Sequence, residues 1–164
     1  MRLSVVRFLL VGLAWLLAVA PVAAAPTYQT EGGDCYNLNQ AGMSLYRQAR
    51  YHDALEQFQQ ANACYREIGD RAGEGTNLTN IGLIYKSLGQ YEPALDTYQQ
   101  SLTIRKEIGD RAGEGATLNN VGLIYASLGQ YEQALDYFLQ SLTIAQEIGD
   151  RAGESITLSN IGFI

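Results

Sequence analysis

Apolar residues recur along most of this chain in two alternating helical patterns. In the stretch that begins at Asp70, Leu78, Ile81, Leu83, Ile84, Tyr85 and Leu88 mark one amphipathic helix, and Gly89-Gln90 breaks it. A second helix starts near Tyr91. Tyr91, Ala94, Leu95, Tyr98 and Leu102 form a stripe at i, i+3, i+4 spacing, with Ser101, Ile104 and Ile108 as another stripe beside it. A helix with two adjacent apolar stripes has to touch two neighbours, which suits a helix inside a stack. Pro93 falls in the first turn, where proline is tolerated. Gly69 is suited to stopping the helix before this stretch and Asp70 to capping the next one. The predicted element is therefore a pair of antiparallel helices.

This element repeats. Glu-Ile-Gly-Asp-Arg-Ala-Gly-Glu occurs at Glu67, Glu107 and Glu147, a period of 40 residues. Residues 68–107 and 108–147 differ at 11 of 40 positions. Leu38, Leu78, Leu118 and Leu158 are in register, as are Gly42, Gly82, Gly122 and Gly162. A fixed period of this size is the mark of a repeat architecture. One helix pair cannot bury its apolar faces alone, so pairs stack on one another.

The units carry Leu78-x2-Ile81-Gly82-x2-Tyr85 then Ala94-x3-Tyr98, and Leu118-x2-Val121-Gly122-x2-Tyr125 then Ala134-x3-Phe138. The first unit has Leu38-x2-Ala41-Gly42-x2-Leu45 then Ala54-x3-Phe58. This resembles the tetratricopeptide signature, with small residues where the two helices approach and aromatic residues filling the space around them. The opening tryptophan and closing proline are missing. The 40-residue unit is longer than the family's usual 34, and is similar to kinesin light chains, Pins-type adaptors and bacterial arrays that precede a CHAT peptidase domain. The resemblance implies an all-α, right-handed superhelical solenoid: three complete pairs plus the first helix of a fourth. It also implies a concave inner surface lined by the first helix of each pair, and a protein-binding role.

Residues 1–25 read differently. Arg2 and Arg7 precede thirteen apolar residues and the small-residue exit Val22-Ala23-Ala24-Ala25. That is the pattern of a secretory signal peptide, and the run is short of the about 20 residues needed to span a bilayer. Cleavage after Ala24 is favoured over Ala25, because Pro26 follows the latter; an uncleaved anchor is the alternative. The organisation expected is a signal peptide over 1–25, a linker over 26–33 and the array over 34–164. Its units lie near 34–69, 70–109 and 110–149, with a partial unit at 150–164. The half-unit at the end leads to the expectation of a fragment of a longer protein, against a true terminus that pairs with another chain.

The formal charge is −6, or −8 without the two leader arginines. An acidic chain is a poor match for a phosphate backbone, so no nucleic-acid partner is expected, and no membrane contact apart from the signal segment. Cys35 and Cys64 lie about fifteen residues before and fourteen after the turn at Ala49-Arg50. They are thus level along two antiparallel helices rising ~1.5 Å per residue. In an exported protein a disulfide is the economical reading; two separate thiols are the other. His52, the single histidine, sits at the opposite end of the pair, so neither a Cys-His dyad nor a metal site is expected. No catalytic residue and no cofactor are expected.

Asp70, Arg71 and Glu74 recur as Asp110, Arg111, Glu114 and as Asp150, Arg151, Glu154. A triplet copied in every unit reads as structural, with the aspartate as cap and arginine pairing with Glu67 and Glu74. The polar ladder Asn80, Asn120, Asn160 is the main candidate for partner binding. In peptide-binding members of the resembled family, an asparagine at the matching place faces the groove and holds the peptide backbone. The alternative is that these amides bond between adjacent helices. Thr79, Asn119 and Ser159 stand beside them, without the lysine by which chaperone-binding members clamp a carboxylate. Leu83, Leu123 and Phe163 would add apolar contact. The function expected is an exported scaffold holding a peptide or protein in its concave face. The alternative is the sensory array of a larger enzyme, such as a CHAT-type peptidase, whose catalytic part lies beyond Ile164.

Overall fold

A computed structural model of the chain describes residues 32–164. The signal-peptide expectation for residues 1–25 lies outside the described residues. The described chain is seven α-helices and no strand: α1 Gly32–Arg47, α2 Tyr51–Glu67, α3 Arg71–Ser87, α4 Tyr91–Ile108, α5 Arg111–Ser127, α6 Tyr131–Ile148 and α7 Arg151–Phe163. None of these helices is long and apolar enough to cross a membrane.

The junctions follow from their residues. Asp70, Asp110 and Asp150 cap α3, α5 and α7, their carboxylates accepting the backbone N–H of Gly73 at 2.8 Å, Gly113 at 2.9 Å and Gly153 at 3.0 Å. The glycine before each cap has φ of 71–72°, the left-handed conformation that ends a helix at little cost for glycine alone. Ala49 adopts the same region, φ 58°, in the turn where the later pairs have Gly89 and Gly129.

Within each pair the helices meet at a glycine. A Cβ on Gly82 would come within 2.5 Å of the Tyr98 ring, and one on Gly122 within 2.6 Å of Phe138. Between pairs, the second helix of one unit shares a core with the first helix of the next. Ala54 and Phe58 pack with Ile81 and Ile84, and Ala94 and Tyr98 with Val121 and Ile124. Each aromatic side chain therefore serves two interfaces, which couples the stack along its length. Ile108, assigned to the second stripe of α4, is 41% exposed and lies beyond that core.

The stack has an inner side. α1 meets α3, α3 meets α5 and α5 meets α7, while α2, α4 and α6 do not meet one another. The first helices crowd together and the second helices splay apart, so the first helices line the inner face.

Tyr98 carries a testable consequence. It is fully buried at the position occupied by Phe58 and Phe138 in the flanking pairs, and its hydroxyl has no hydrogen-bond partner among the described residues. Burial raises its pKa far above the ordinary 10.0. Tyr98→Phe removes an unpaired buried hydroxyl, so stability is expected to rise by about 1 kcal/mol. Because the folded pKa is raised, the parent's stability is full below about pH 10 and falls as pH climbs beyond it. The variant escapes that share of the loss. Urea unfolding of both proteins at neutral pH and near pH 11 checks both statements.

Candidate functional site

The inner face is held by side chains that bond from one first helix to the next. Asn80 Nδ2 donates to Asn39 Oδ1 on α1 at 3.0 Å, and Asn160 Nδ2 donates to Asn119 Oδ1 on α5 at 2.9 Å. These two amides make the interhelical bonds that were the alternative to a groove role. The ladder is interrupted in the middle because residue 79, unlike 39 and 119, is a threonine. The Thr79 hydroxyl bonds to Gly75 O, Ser101 Oγ and Thr117 Oγ1 at 2.9–3.3 Å. Asn120 on α5 is half-buried and makes no side-chain hydrogen bond among the described residues. Leu83 and Leu123 are half-buried one turn further along α3 and α5, while Ser159 and Phe163 on α7 are exposed, Phe163 at 90%.

Beside Asn120 lies a cleft of about 530 Å³ between α5, α6 and α7. Leu123, Ile144, Ala145, Ile148 and Ile156 wall it, and Asn119, Asn120, Ser141, Asn160 and Asp150 supply its polar groups. Sequence reasoning placed the three asparagines and Leu123 on this face, and missed the cleft itself. The missed signal is the position 65/105/145, which reads Tyr, Arg, Ala in successive units.

The repeated charged triplet is structural, with one correction. Arg71 pairs with Glu74 at 2.5 Å, but its second partner is Glu107 at the far end of its own helix pair, not Glu67 of the preceding one; Arg111 likewise pairs with Glu114 at 2.6 Å and Glu147 at 2.5 Å. The guanidinium lies between α3 and the end of α4, so it reaches across its own pair rather than back to the end of α2. These partners raise the Arg71 and Arg111 pKa values, by hydrogen bonds first. Glu74 is almost fully buried and also takes Arg66 Nε at 2.6 Å.

Cys35 and Cys64 are joined as a disulfide, Cα atoms 5.4 Å apart across α1 and α2. His52 is exposed in the first turn of α2. Among the described residues no group of three His, Cys, Asp or Glu side chains is placed to hold a metal ion.

The tetratricopeptide repeat family profile matches residues 35–107 and 113–164. None of the curated proteins matches the chain in sequence. Among solved structures, BtubC (BKLC) from P. vanneervenii superposes with a TM-score of 0.71 at 23% identity, over 78% of this chain and 54% of its own. The translocator chaperone SycD of type III secretion in Yersinia enterocolitica gives 0.67 at 14% identity, over 79% and 89%. An array of nearly identical TPR-like repeats, described as a kinesin light chain, from Podosopora anserina gives 0.66 at 12%, over 79% and 64%. The chain thus spans about half of BtubC, and these likenesses are of fold. With the profile covering most of its length, the chain belongs to the tetratricopeptide repeat family.

Proposed function

We propose that this chain is an exported interaction scaffold whose inner face holds a protein or peptide partner in extended form. The observation that carries the reading is Asn120. Its half-buried amide has no side-chain partner among the described residues and lies beside a cleft walled by Leu123 and Ile156. A primary amide offers both a donor and an acceptor, which matches the alternating N–H and C=O of an extended backbone. Apolar walls with a few placed polar groups are the usual make-up of a binding cleft. The description of the Yersinia relative as a translocator chaperone supports a protein as the partner class. The signal-like leader and the Cys35–Cys64 bond together support export, since the cytosol keeps thiols reduced.

The experiment places a photo-reactive side chain at Leu123 on the inner face, or at Gln140 on the exposed outer helix α6, in the cell that makes the protein. Capture of one and the same partner from position 123, and not from 140, is the expected outcome.

A further inference from the structure

The cleft beside Asn120 exists because one side chain is missing from a place that the earlier junctions fill. At the first junction Tyr65 lies against Gly73, so closely that a Cβ there would collide with its ring. At the second junction Arg105 lies against Gly113 in the same way. Arg105 is 7% exposed, and each nitrogen of its guanidinium has an acceptor: Nη1 bonds Asp110 Oδ2, Nε bonds Ser101 Oγ at 3.2 Å and Nη2 bonds Thr79 Oγ1 at 3.3 Å. At the third junction the equivalent residue is Ala145: a Cβ on Gly153 would meet its own cap Asp150, as at the other two junctions, but of residue 145 it would meet only the methyl carbon, at 3.6 Å.

Every acceptor that holds Arg105 has a counterpart around Ala145. Asp150 matches Asp110, Ser141 matches Ser101 and Asn119 matches Thr79, and all three line the cleft. The cations have gone: Arg105 and Lys106 are replaced by Ala145 and Gln146. Asp110 has Arg105 as its ion-pair partner, whereas Asp150 has no ion pair among the described residues; Glu114 has both Arg111 and Lys106, whereas Glu154 has only Arg151, at 3.1 Å. The third junction is therefore the same socket, emptied of its side chain and left with an unneutralised carboxylate.

We propose that this socket takes an arginine side chain from the partner, its guanidinium on Asp150 and its stem between Ile144, Ile148 and Ile156. Arg105 is the protein's own template for the fit. A planar guanidinium satisfies a carboxylate and hydroxyl or amide oxygens at once, and its methylene stem packs on apolar walls. The proposal rests on the inner-face reading above and names the partner's anchoring residue.

The test uses amide NMR of the protein with a blocked Ala-Arg-Ala tripeptide, and with Ala-citrulline-Ala as a control of the same shape without the charge. The arginine peptide is expected to shift the resonances of Gly153, Asn120 and Asn160 saturably, and the citrulline peptide to bind at least tenfold more weakly. Asp150→Asn keeps a competent cap and loses the charge, so the arginine peptide should weaken by about tenfold. Ala145→Arg refills the socket from within, and should abolish peptide binding while leaving the melting temperature at or above that of the parent. No shift at residues 145–160, equal binding of the citrulline peptide, or unchanged binding by Ala145→Arg would each overturn the proposal. Capture of a partner from position 123 by a protein that ignores the arginine peptide removes the socket and leaves the inner-face reading standing.

Discussion

Phe138→Ala is expected to cost about 3–5 kcal/mol, the range for removing a large aromatic from a core that cannot collapse around the gap. Phe138 is fully buried and its ring sits over Gly122 at the closest approach of α5 and α6. Gly122, which faces the ring, has no side chain to move into the void. A domain of this size has only about 5–15 kcal/mol in total, so the loss is a large part of it. Because contacts in a solenoid run only between neighbours, the damage should be local. Hydrogen exchange is expected to accelerate across α5, α6 and α7 and to change little in α1 and α2. Urea unfolding with a loss below 1 kcal/mol, or uniform acceleration along the chain, would contradict the packing described.

Reduction of the Cys35–Cys64 bond has the next largest expected effect. The bond closes a loop with a sequence separation of 29, and loop-closure entropy for that length corresponds to about 3–4 kcal/mol. The bond lies in a small buried cluster with Ala61 and Tyr65, against which Leu38 packs. Among the described residues α1 packs only on α2 and α3, so the first pair leans on this link more than later pairs lean on any single contact. Reduced protein, or Cys35→Ser with Cys64→Ser, should lose protection in α1 and the facing part of α2, while α4 to α7 keep theirs. Non-reducing mass spectrometry should find the two cysteine peptides linked. Two free thiols, or a reduced protein as protected in α1 as the oxidised one, would overturn this.

Much of this architecture was legible in the sequence because it depends on local chemistry. The aspartate caps, the glycine turns and the small residue facing an aromatic are decided within a few residues of each other. The periodicity then stacks them without further information. What escaped depends on differences between units and on directions across the stack. Arg71 has carboxylates on both sides in sequence, and only the rise from α3 to the end of α4 selects Glu107 over Glu67. Asn80 and Asn160 look alike to Asn120 along the chain, yet each finds an asparagine 41 residues earlier, while Asn120 has a threonine at that place and no side-chain hydrogen bond among the described residues. The Ala145 cleft is visible in the sequence only as a departure from the repeat, at a position where Tyr65 and Arg105 give no hint that their role is to fill space.

Two of those departures, at residues 79 and 145, leave Asn120 without an interhelical partner and open the cleft beside it, on the face proposed to hold a partner. Site-specific photo-cross-linking measures this most directly. Photo-reactive side chains at Leu83 and Leu123 on the inner helices, and at Gln100 and Gln140 on the exposed side of α4 and α6, are compared in the cell that makes the protein. One partner is expected to be captured from the two inner positions and not from the outer pair. Capture from Gln100 and Gln140 with none from Leu83 and Leu123 would contradict the inner-face reading.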